Sequence, residues 1–247
     1  TEEWRPENFN KGYQGEMSLR HALAHSANIP AVRLMEAVGA GSVVGLAHQM
    51  GITAQLDANL ALALGASEVN LLELTAAYTV FANQGEAITP FAILEIQDSR
   101  GSTLYRAHPQ RRVVMSRAGA AVMTDMLQAV IQEGTGQGAA SLGPQVAGKT
   151  GTTSEYRDAL FVGFSPGLAA GVWVGLDDFS SLGAGETGSR AALPIWVDLM
   201  LAHREAAELA YFDRPADVVR RTIDPFSGKR LETGAPNGVA ALFRSRQ

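Results

Sequence analysis

Apolar residues recur at helical spacing in five stretches of the chain, each introduced by a residue suited to begin a helix. These starting residues are Ser18, Pro30, Asn70, Ser116 and Pro194. A serine or asparagine side chain can accept a hydrogen bond from a free backbone N–H of the first turn, whereas proline has no N–H to satisfy. The pattern predicts five helices, with breaks near residues 26–28, 39, 85 and 134–136.

Strand-like runs occupy two other parts of the chain. Residues 90–107 predict two strands around a turn. Residues 145–153, 158–165 and 168–177 form three further runs, separated only by short turns. Because short turns join antiparallel strands, we expect an antiparallel sheet flanked by helices, which is an α+β fold. Residues 211–247 are expected to form an irregular, partly ordered tail.

Charge and composition exclude several classes of function. The 247 residues carry a formal net charge of -5, which argues against a nucleic-acid partner. There is no cysteine, so disulfides and thiolate metal ligands are excluded, and an oxidising exterior compartment suits the chain. Residues 1–10 are acidic and polar and predict no signal peptide. The chain is therefore expected to be the part of a longer protein that lies outside the membrane.

Residues 143–167 match two known sequence patterns without the structural context that either pattern requires. Residues 143–150 satisfy the P-loop pattern G-x-x-x-x-G-K-[ST], but no strand-forming run precedes them and no helix is predicted to follow. Residues 163–167 satisfy the nucleophile-elbow pattern G-x-S-x-G around Ser165. An elbow needs the backbone N–H of the next residue for its oxyanion hole, and Pro166 has none. Both interpretations are rejected.

The run Lys149-Thr150-Gly151-Thr152 has a chemistry of its own. A strand lysine can hold a carboxylate or relay a proton, the two threonine hydroxyls can bind a carboxylate, and Gly151 lets a substrate lie against the strand. The Thr152 backbone N–H can stabilise a developing oxyanion, where one such donor contributes about 10²–10³ in rate. Lys-Thr-Gly is one of three elements shared by serine β-lactamases and penicillin-binding proteins.

Longer stretches on both sides of Lys149 carry a resemblance. In chain order they are WRPENF, SLRHALAHSANIPAVRL, LALGASEVNLLELTAAYTVFANQG, EGTGQGAA, VAGKTGTTSEYRDALFVGFSP and GVWVGLDD. Through them the chain resembles, over nearly its whole length, the transpeptidase domain of the bifunctional class A penicillin-binding proteins. The resemblance implies a β-lactamase/transpeptidase-like fold, with residues 1–210 as a partial transpeptidase domain and residues 211–247 as a C-terminal tail.

The resemblance also implies roles for individual residues. Ser26-Ala27-Asn28 matches the family's Ser-x-Asn element, in which Ser26 would relay protons and Asn28 would hydrogen-bond the acyl-donor peptide. Lys149 would tune Ser26 electrostatically, and Thr150, Gly151 and Thr152 would complete the substrate-binding strand. The alternative for Ser26 is that it only caps a helix.

The family's remaining element, Ser-x-x-Lys, has no match here. The three lysines are Lys11, Lys149 and Lys229, and the residues three positions before them are Asn8, Val146 and Phe226. In the family this element supplies the acylated serine and lies upstream of the Trp-x-Pro-x-Asn run. The resemblance therefore implies a truncated chain that lacks the nucleophile, the first two strands of the sheet, and a parent's N-terminal glycosyltransferase domain and membrane anchor.

The implied parent is an extracytoplasmic enzyme that attacks D-Ala-D-Ala in peptidoglycan stem peptides, transfers the acyl group to an amine, and binds β-lactams. It would need no cofactor and no metal. Two alternatives stay open at this point. One is a non-catalytic module that binds stem peptides or β-lactams, and the other is a hydrolytic relative, a D,D-carboxypeptidase or a β-lactamase.

Overall fold

The computed structural model of the chain describes residues 5–9, 12–206 and 210–245; Lys11 lies outside them. Six α-helices are present in the described part: α1 Leu19–Ala24, α2 Asn28–Val38, α3 Ala40–Gln49, α4 Leu71–Ala82, α5 Arg117–Gln132 and α6 Leu193–Ala206. Its nine strands are β1 Glu86–Ile88, β2 Glu95–Gln97, β3 Thr103–Arg106, β4 Arg111–Val113, β5 Ala147–Thr152, β6 Asp158–Ser165, β7 Leu168–Gly175, β8 Val218–Ile223 and β9 Val239–Arg244.

Three of the five predicted helix starts are confirmed by their caps. The side chain of Ser18 accepts a hydrogen bond from the N–H of His21, three residues on. Asn70 caps α4 and Ser116 caps α5 with the same three-residue spacing. Each cap satisfies one of the N–H groups that the first turn of a helix leaves free, and so fixes where the helix begins.

A three-stranded antiparallel sheet, in the order β5-β6-β7, lies at the centre of the fold. Helices α4 and α5 cover one face, where Phe164 of β6 packs with Leu127, Tyr78 and Phe81. Helix α6 covers the other face, where Trp196 packs against Phe161 of β6. The sheet therefore lies between two apolar layers, and the predicted α+β architecture with an antiparallel sheet flanked by helices is confirmed.

The C-terminal region differs from its prediction. Strands β8 and β9 pair as an antiparallel hairpin, with Val218, Ile223 and Ala241 buried. The Leu242 N–H donates to the carboxylate of Asp125 on α5 at 3.1 Å, which attaches the hairpin to the body of the fold. The expectation of irregular structure is thus wrong for this hairpin, whose order comes from contacts with a distant helix. The division of the chain at residue 210 stays a prediction.

A second hairpin, β2–β3, is where the sequence predicts it, within residues 90–107. Its apolar side chains are largely exposed, including Leu94 at 72% and Leu104 at 68%.

Among the helices described, none by itself is long and apolar enough to cross a membrane, although α2 and α3, bent by 92° at their junction, pass that test as a pair by length and composition.

Candidate active site

Ser26 lies in a sharp turn between α1 and α2. Its φ of 55° is in the left-handed region, which non-glycine residues seldom occupy. The Ser26 N–H donates to the Leu23 carbonyl at 3.2 Å, and the Ala27 N–H donates to the Ala22 carbonyl at 2.8 Å. These bonds close the end of α1 and leave the Ser26 side chain exposed.

The structure does not support the helix-cap interpretation of Ser26. The residue before α2 is Ala27, which makes no side-chain capping bond. The first amides of α2, Asn28 and Ile29, instead donate to the side-chain oxygen of Asn8 at 3.0 and 3.2 Å. A residue distant in sequence therefore caps α2, and the Ser26 hydroxyl is left for other contacts.

Lys149 meets Ser26 directly. Its Nζ donates to the Ser26 Oγ at 2.9 Å, although the two residues are 123 positions apart in sequence. The same ammonium donates to the Thr150 carbonyl at 2.9 Å and to the Thr150 Oγ1 at 3.4 Å. Burial lowers the pKa of Lys149 from 10.5 to about 8, because an ammonium loses hydration there. This lysine can therefore both hold and release a proton close to neutral pH.

The outer edge of β5 carries the other predicted site residues. The Thr153 N–H donates to the Asp158 carbonyl at 3.1 Å. Because antiparallel pairs alternate, the backbone groups of Thr150 and Thr152 point away from β6, as the bond from Lys149 to the Thr150 carbonyl shows. Gly151, between them, pairs with Leu160 of β6. The Thr152 N–H is thus aimed off the sheet edge, whereas the Thr152 hydroxyl accepts the Gly188 N–H at 3.0 Å.

Asn28 has other partners in the structure. Its side-chain amide donates to the Glu7 carbonyl at 2.7 Å. Within the described residues, no hydrogen bond joins Asn28 to Ser26 or Lys149. The structure therefore brings together Ser26, Lys149 and Thr150, places Gly151 and Thr152 on the same strand, and holds Asn28 against the segment that caps α2.

Thr135 belongs to this cluster and was not predicted as a site residue. Its Oγ1 lies 2.6 Å from the Thr150 Oγ1, and its N–H donates to the Ala24 carbonyl at 3.0 Å. The sequence marks residues 134–136 as the end of a helix, and EGTGQGAA as one of the stretches that resemble the family. The EGTGQGAA stretch was the signal that could have pointed to Thr135. The contacts of Thr135 with Ala24 and Thr150 are non-local, however, and cannot be inferred from the stretch itself.

The two rejected motifs are absent as structures. Ser165 is fully buried at the end of β6, and Gly167 opens the turn into another strand, so no nucleophile elbow forms. Lys149 lies within β5, whose strand continues to Thr152, so no helix begins at the P-loop lysine. The antiparallel pairing of β5 with β6 also excludes the strand-to-helix crossover that a P-loop requires.

Comparison with known proteins assigns the chain to a family. The family described as "Penicillin binding protein transpeptidase domain" matches residues 1–176. The chain belongs to the penicillin-binding protein transpeptidase family. Penicillin-binding protein 1A of Aquifex aeolicus is 43% identical over 224 residues, which cover 91% of this chain and 31% of that protein. The corresponding protein of Pseudomonas aeruginosa is 29% identical over 295 residues, covering 98% of this chain and 36% of its own length.

Solved structures agree on the fold. Penicillin-binding protein 1A from Haemophilus influenzae, a crystal structure at 2.6 Å, has a TM-score of 0.88 and 29% identity, and the match covers 98% of this chain and 42% of that one. PonA1 from Mycobacterium tuberculosis has a TM-score of 0.76 at 22% identity, with 91% of this chain and 64% of that one covered. The fold is that of the penicillin-binding transpeptidases, and the chain spans about a third of the curated relatives' length.

Proposed function

We propose that this chain carries the proton relay and the substrate-binding strand of a serine D,D-transpeptidase that cross-links peptidoglycan stem peptides and is acylated by β-lactams. The observation that carries the proposal is the 2.9 Å contact between the Lys149 Nζ and the Ser26 Oγ. Local propensity does not require a helix-terminal serine and a strand lysine to meet, whereas an acyl-transfer site does.

The geometry supports a specific division of labour during acylation. A serine hydroxyl gives its proton to the lysine of its own Ser-x-x-Lys element and attacks the carbonyl of the D-Ala-D-Ala bond, a C–O bond forms, and the Thr152 N–H stabilises the oxyanion. That lysine returns the proton to Ser26 when Ser26 protonates the leaving group. The C–N bond then breaks, and Ser26 passes a proton to the departing D-alanine amine. Lys149 donates a hydrogen bond to Ser26 and so stabilises the negative charge that develops there.

Substrate binding falls to the outer edge of β5. The terminal carboxylate of the stem peptide would accept hydrogen bonds from the Thr150 and Thr152 hydroxyls, with the Lys149 ammonium adding charge attraction. Gly151 presents no side chain, so the peptide can approach the backbone. We propose that Asn28 binds the acyl-donor peptide after its side chain leaves the Glu7 carbonyl. In the second half-reaction an acceptor amine attacks the ester, a C–N bond forms as the C–O bond to the serine breaks, and the proton lost by the amine is passed to the released serine oxygen.

We propose that the attacking serine lies outside residues 1–247, since no serine among them precedes a lysine by three positions. We propose that a Ser-x-x-Lys element outside these residues supplies it. We also propose that the parent protein carries an N-terminal glycosyltransferase domain and a membrane anchor, and that this chain works on the extracytoplasmic side. These residues cover only about a third of the length of the penicillin-binding protein 1A relatives, which supports a longer parent protein.

Covalent labelling with a fluorescent penicillin tests the proposal. The 247-residue chain alone should show no adduct that survives denaturation, and the longer protein encoded by the same gene should be labelled on a serine of a Ser-x-x-Lys element. An adduct on the isolated chain would overturn the assignment of the nucleophile. An unlabelled longer protein that still binds stem peptide reversibly would favour a non-catalytic binding module.

A second measurement separates transfer from hydrolysis. The longer protein is incubated with a stem peptide and an acceptor amine, and the products are resolved by mass spectrometry. The proposal predicts D-alanine together with the cross-linked amide. Release of D-alanine with only the shortened free acid would indicate a D,D-carboxypeptidase instead.

A further inference from the structure

We infer that Thr135 is a positioning residue that holds the Ser26 turn and the substrate-binding edge of β5 in one geometry. The inference rests on the proposed function for its consequence in catalysis, and on the hydrogen bonds of the described residues for its structural content. Thr135 contacts both halves of the site, and it does so with two different groups.

The first contact is through the backbone. The Thr135 N–H donates to the Ala24 carbonyl at 3.0 Å, two residues before Ser26. Ala24 is fully buried, so this bond lies beneath the turn that presents the serine. Because the φ of Ser26 is in the left-handed region, the turn needs such external support to persist.

The second contact is through the side chain. The Thr135 Oγ1 lies 2.6 Å from the Thr150 Oγ1, and the Lys149 Nζ approaches the same Thr150 oxygen at 3.4 Å. A threonine hydroxyl has one proton and two lone pairs. If Thr135 and Lys149 both donate to the Thr150 oxygen, the Thr150 proton is directed away from them, toward the position proposed for the substrate carboxylate.

The turn that carries Thr135 is itself closely constrained. The N–H groups of Gly134 and Gly136 both donate to the Val130 carbonyl at the end of α5, at 3.2 and 2.9 Å. A Cβ on Gly134 would overlap the Ala24 carbonyl oxygen, so the two segments are packed backbone against backbone. Thr135 is therefore fixed to α5, and through its two contacts α5 fixes the distance between Ser26 and Lys149.

Three variants isolate the hydroxyl. Thr135→Val keeps the shape and removes the side-chain hydrogen bond, and Thr135→Ser keeps that bond. Thr79→Val is the matched control, because Thr79 is also half-buried and, among the described residues, its hydroxyl bonds only the Ala76 carbonyl of its own helix. Each variant is first checked for folding by thermal melting.

The first readout uses this chain as it stands. It has only three lysines, so selective ¹³C-lysine labelling allows the Lys149 side chain to be titrated by NMR. Starting from a pKa of about 8, Thr135→Val should raise the pKa of Lys149 toward 10.5, because water reaches the ammonium once the cluster loosens. Thr135→Ser and Thr79→Val should match the wild type. An unchanged pKa in Thr135→Val would overturn the inference.

The second readout is the rate at which a fluorescent penicillin acylates the longer protein. Loss of one positioning hydrogen bond should lower this rate about tenfold in Thr135→Val, with recovery in Thr135→Ser. Equal rates in wild type and Thr135→Val would contradict the inference. If the wild type is not acylated at all, the proposed function fails, and the lysine titration still decides the role of Thr135. If Thr135→Val does not fold, Thr135→Ala removes the same hydroxyl without a second γ-methyl group and should raise the pKa of Lys149 in the same way.

Discussion

Two glycine-containing turns of this protein are held in very different ways. Gly101 closes the exposed β2–β3 hairpin, and a Cβ placed there would meet no atom within 4 Å. Gly134 ends α5 beside the candidate site, and a Cβ there would overlap the backbone of Ala24. The first turn is specified by its own residues and the second by a distant segment. The turn beside the site is therefore constrained by a tertiary contact rather than by a strong local turn signal.

We expect the largest difference in the free energy of unfolding between alanine variants of these two glycines. Gly134→Ala should lower the free energy of unfolding by about 3 kcal/mol or more, because backbone must move to admit the methyl group. Gly101→Ala should cost only about 1 kcal/mol, the strain of an alanine at a φ of 82°. Urea denaturation of both variants gives the two values. Similar losses would mean that the turn at Gly134 is no more constrained than the hairpin.

Ion pairs extend the comparison to side chains. Arg20 is 7% exposed and pairs with Asp125 at 2.7 Å and Glu133 at 3.2 Å, whereas Arg106 of the hairpin is 64% exposed and pairs with Glu95 at 3.1 Å. Burial raises the pKa of Asp125, and Arg20 opposes that rise. Arg20→Met should therefore destabilise by about 3 kcal/mol, since it leaves a carboxylate buried without its partner.

The matched variant Arg106→Met should change the free energy of unfolding by less than about 1 kcal/mol, as exposed ion pairs usually do. Chemical denaturation at pH 7 again provides the measurement. A loss at Arg106 as large as the loss at Arg20 would show that the β2–β3 hairpin is integrated into the fold, contrary to its exposure.

A smaller effect concerns the charge at the site itself. The folded pKa of Lys149, about 8, lies below its unfolded value of 10.5, so the unfolded chain binds more protons between these pH values. The cost of burying the ammonium is thus fully present below pH 8 and is relieved as the pH rises toward 10.5. Relative to Lys149→Met, the wild type should gain about 1–3 kcal/mol between pH 7 and 10.

Lys229 provides the control, because its side chain is exposed. Lys229→Met should follow the wild type across the same pH range when melting is monitored by circular dichroism. Parallel curves for wild type and Lys149→Met would show that Lys149 is hydrated in the folded chain, and would remove the basis for its low pKa.

The sequence predicts the elements that depend on local signals. The caps at Ser18, Asn70 and Ser116 and the turns of the central sheet are short-range features, and the structure has them where they were expected. Helix α3 was not predicted, because Gly39, Gly41 and Gly45 at its start and within it weaken the helix signal; none of its residues is buried in the structure. The β8–β9 hairpin was missed because its order depends on α5.

The candidate site also combines residues that the sequence identifies with contacts that only the folded structure shows. Ser26, Lys149 and Thr150 could be named from the family resemblance, but their contact joins segments 123 residues apart, which no local propensity encodes. Thr135 was overlooked because its sequence context indicates only the end of a helix. Its bonds to Ala24 and Thr150 become visible when three separate segments are folded together.

The central claim is that Ser26 and Lys149 act as one proton relay, and a double-mutant cycle on penicillin acylation of the proposed longer protein tests it most directly. Ser26→Ala and Lys149→Met should each lower the second-order acylation rate by about 10²–10³. Because residues that act as a unit are not additive, the double variant should be no slower than the slower single variant by more than about threefold. Multiplied losses in the double variant would contradict the account, since they would show that the two side chains act independently despite their 2.9 Å contact.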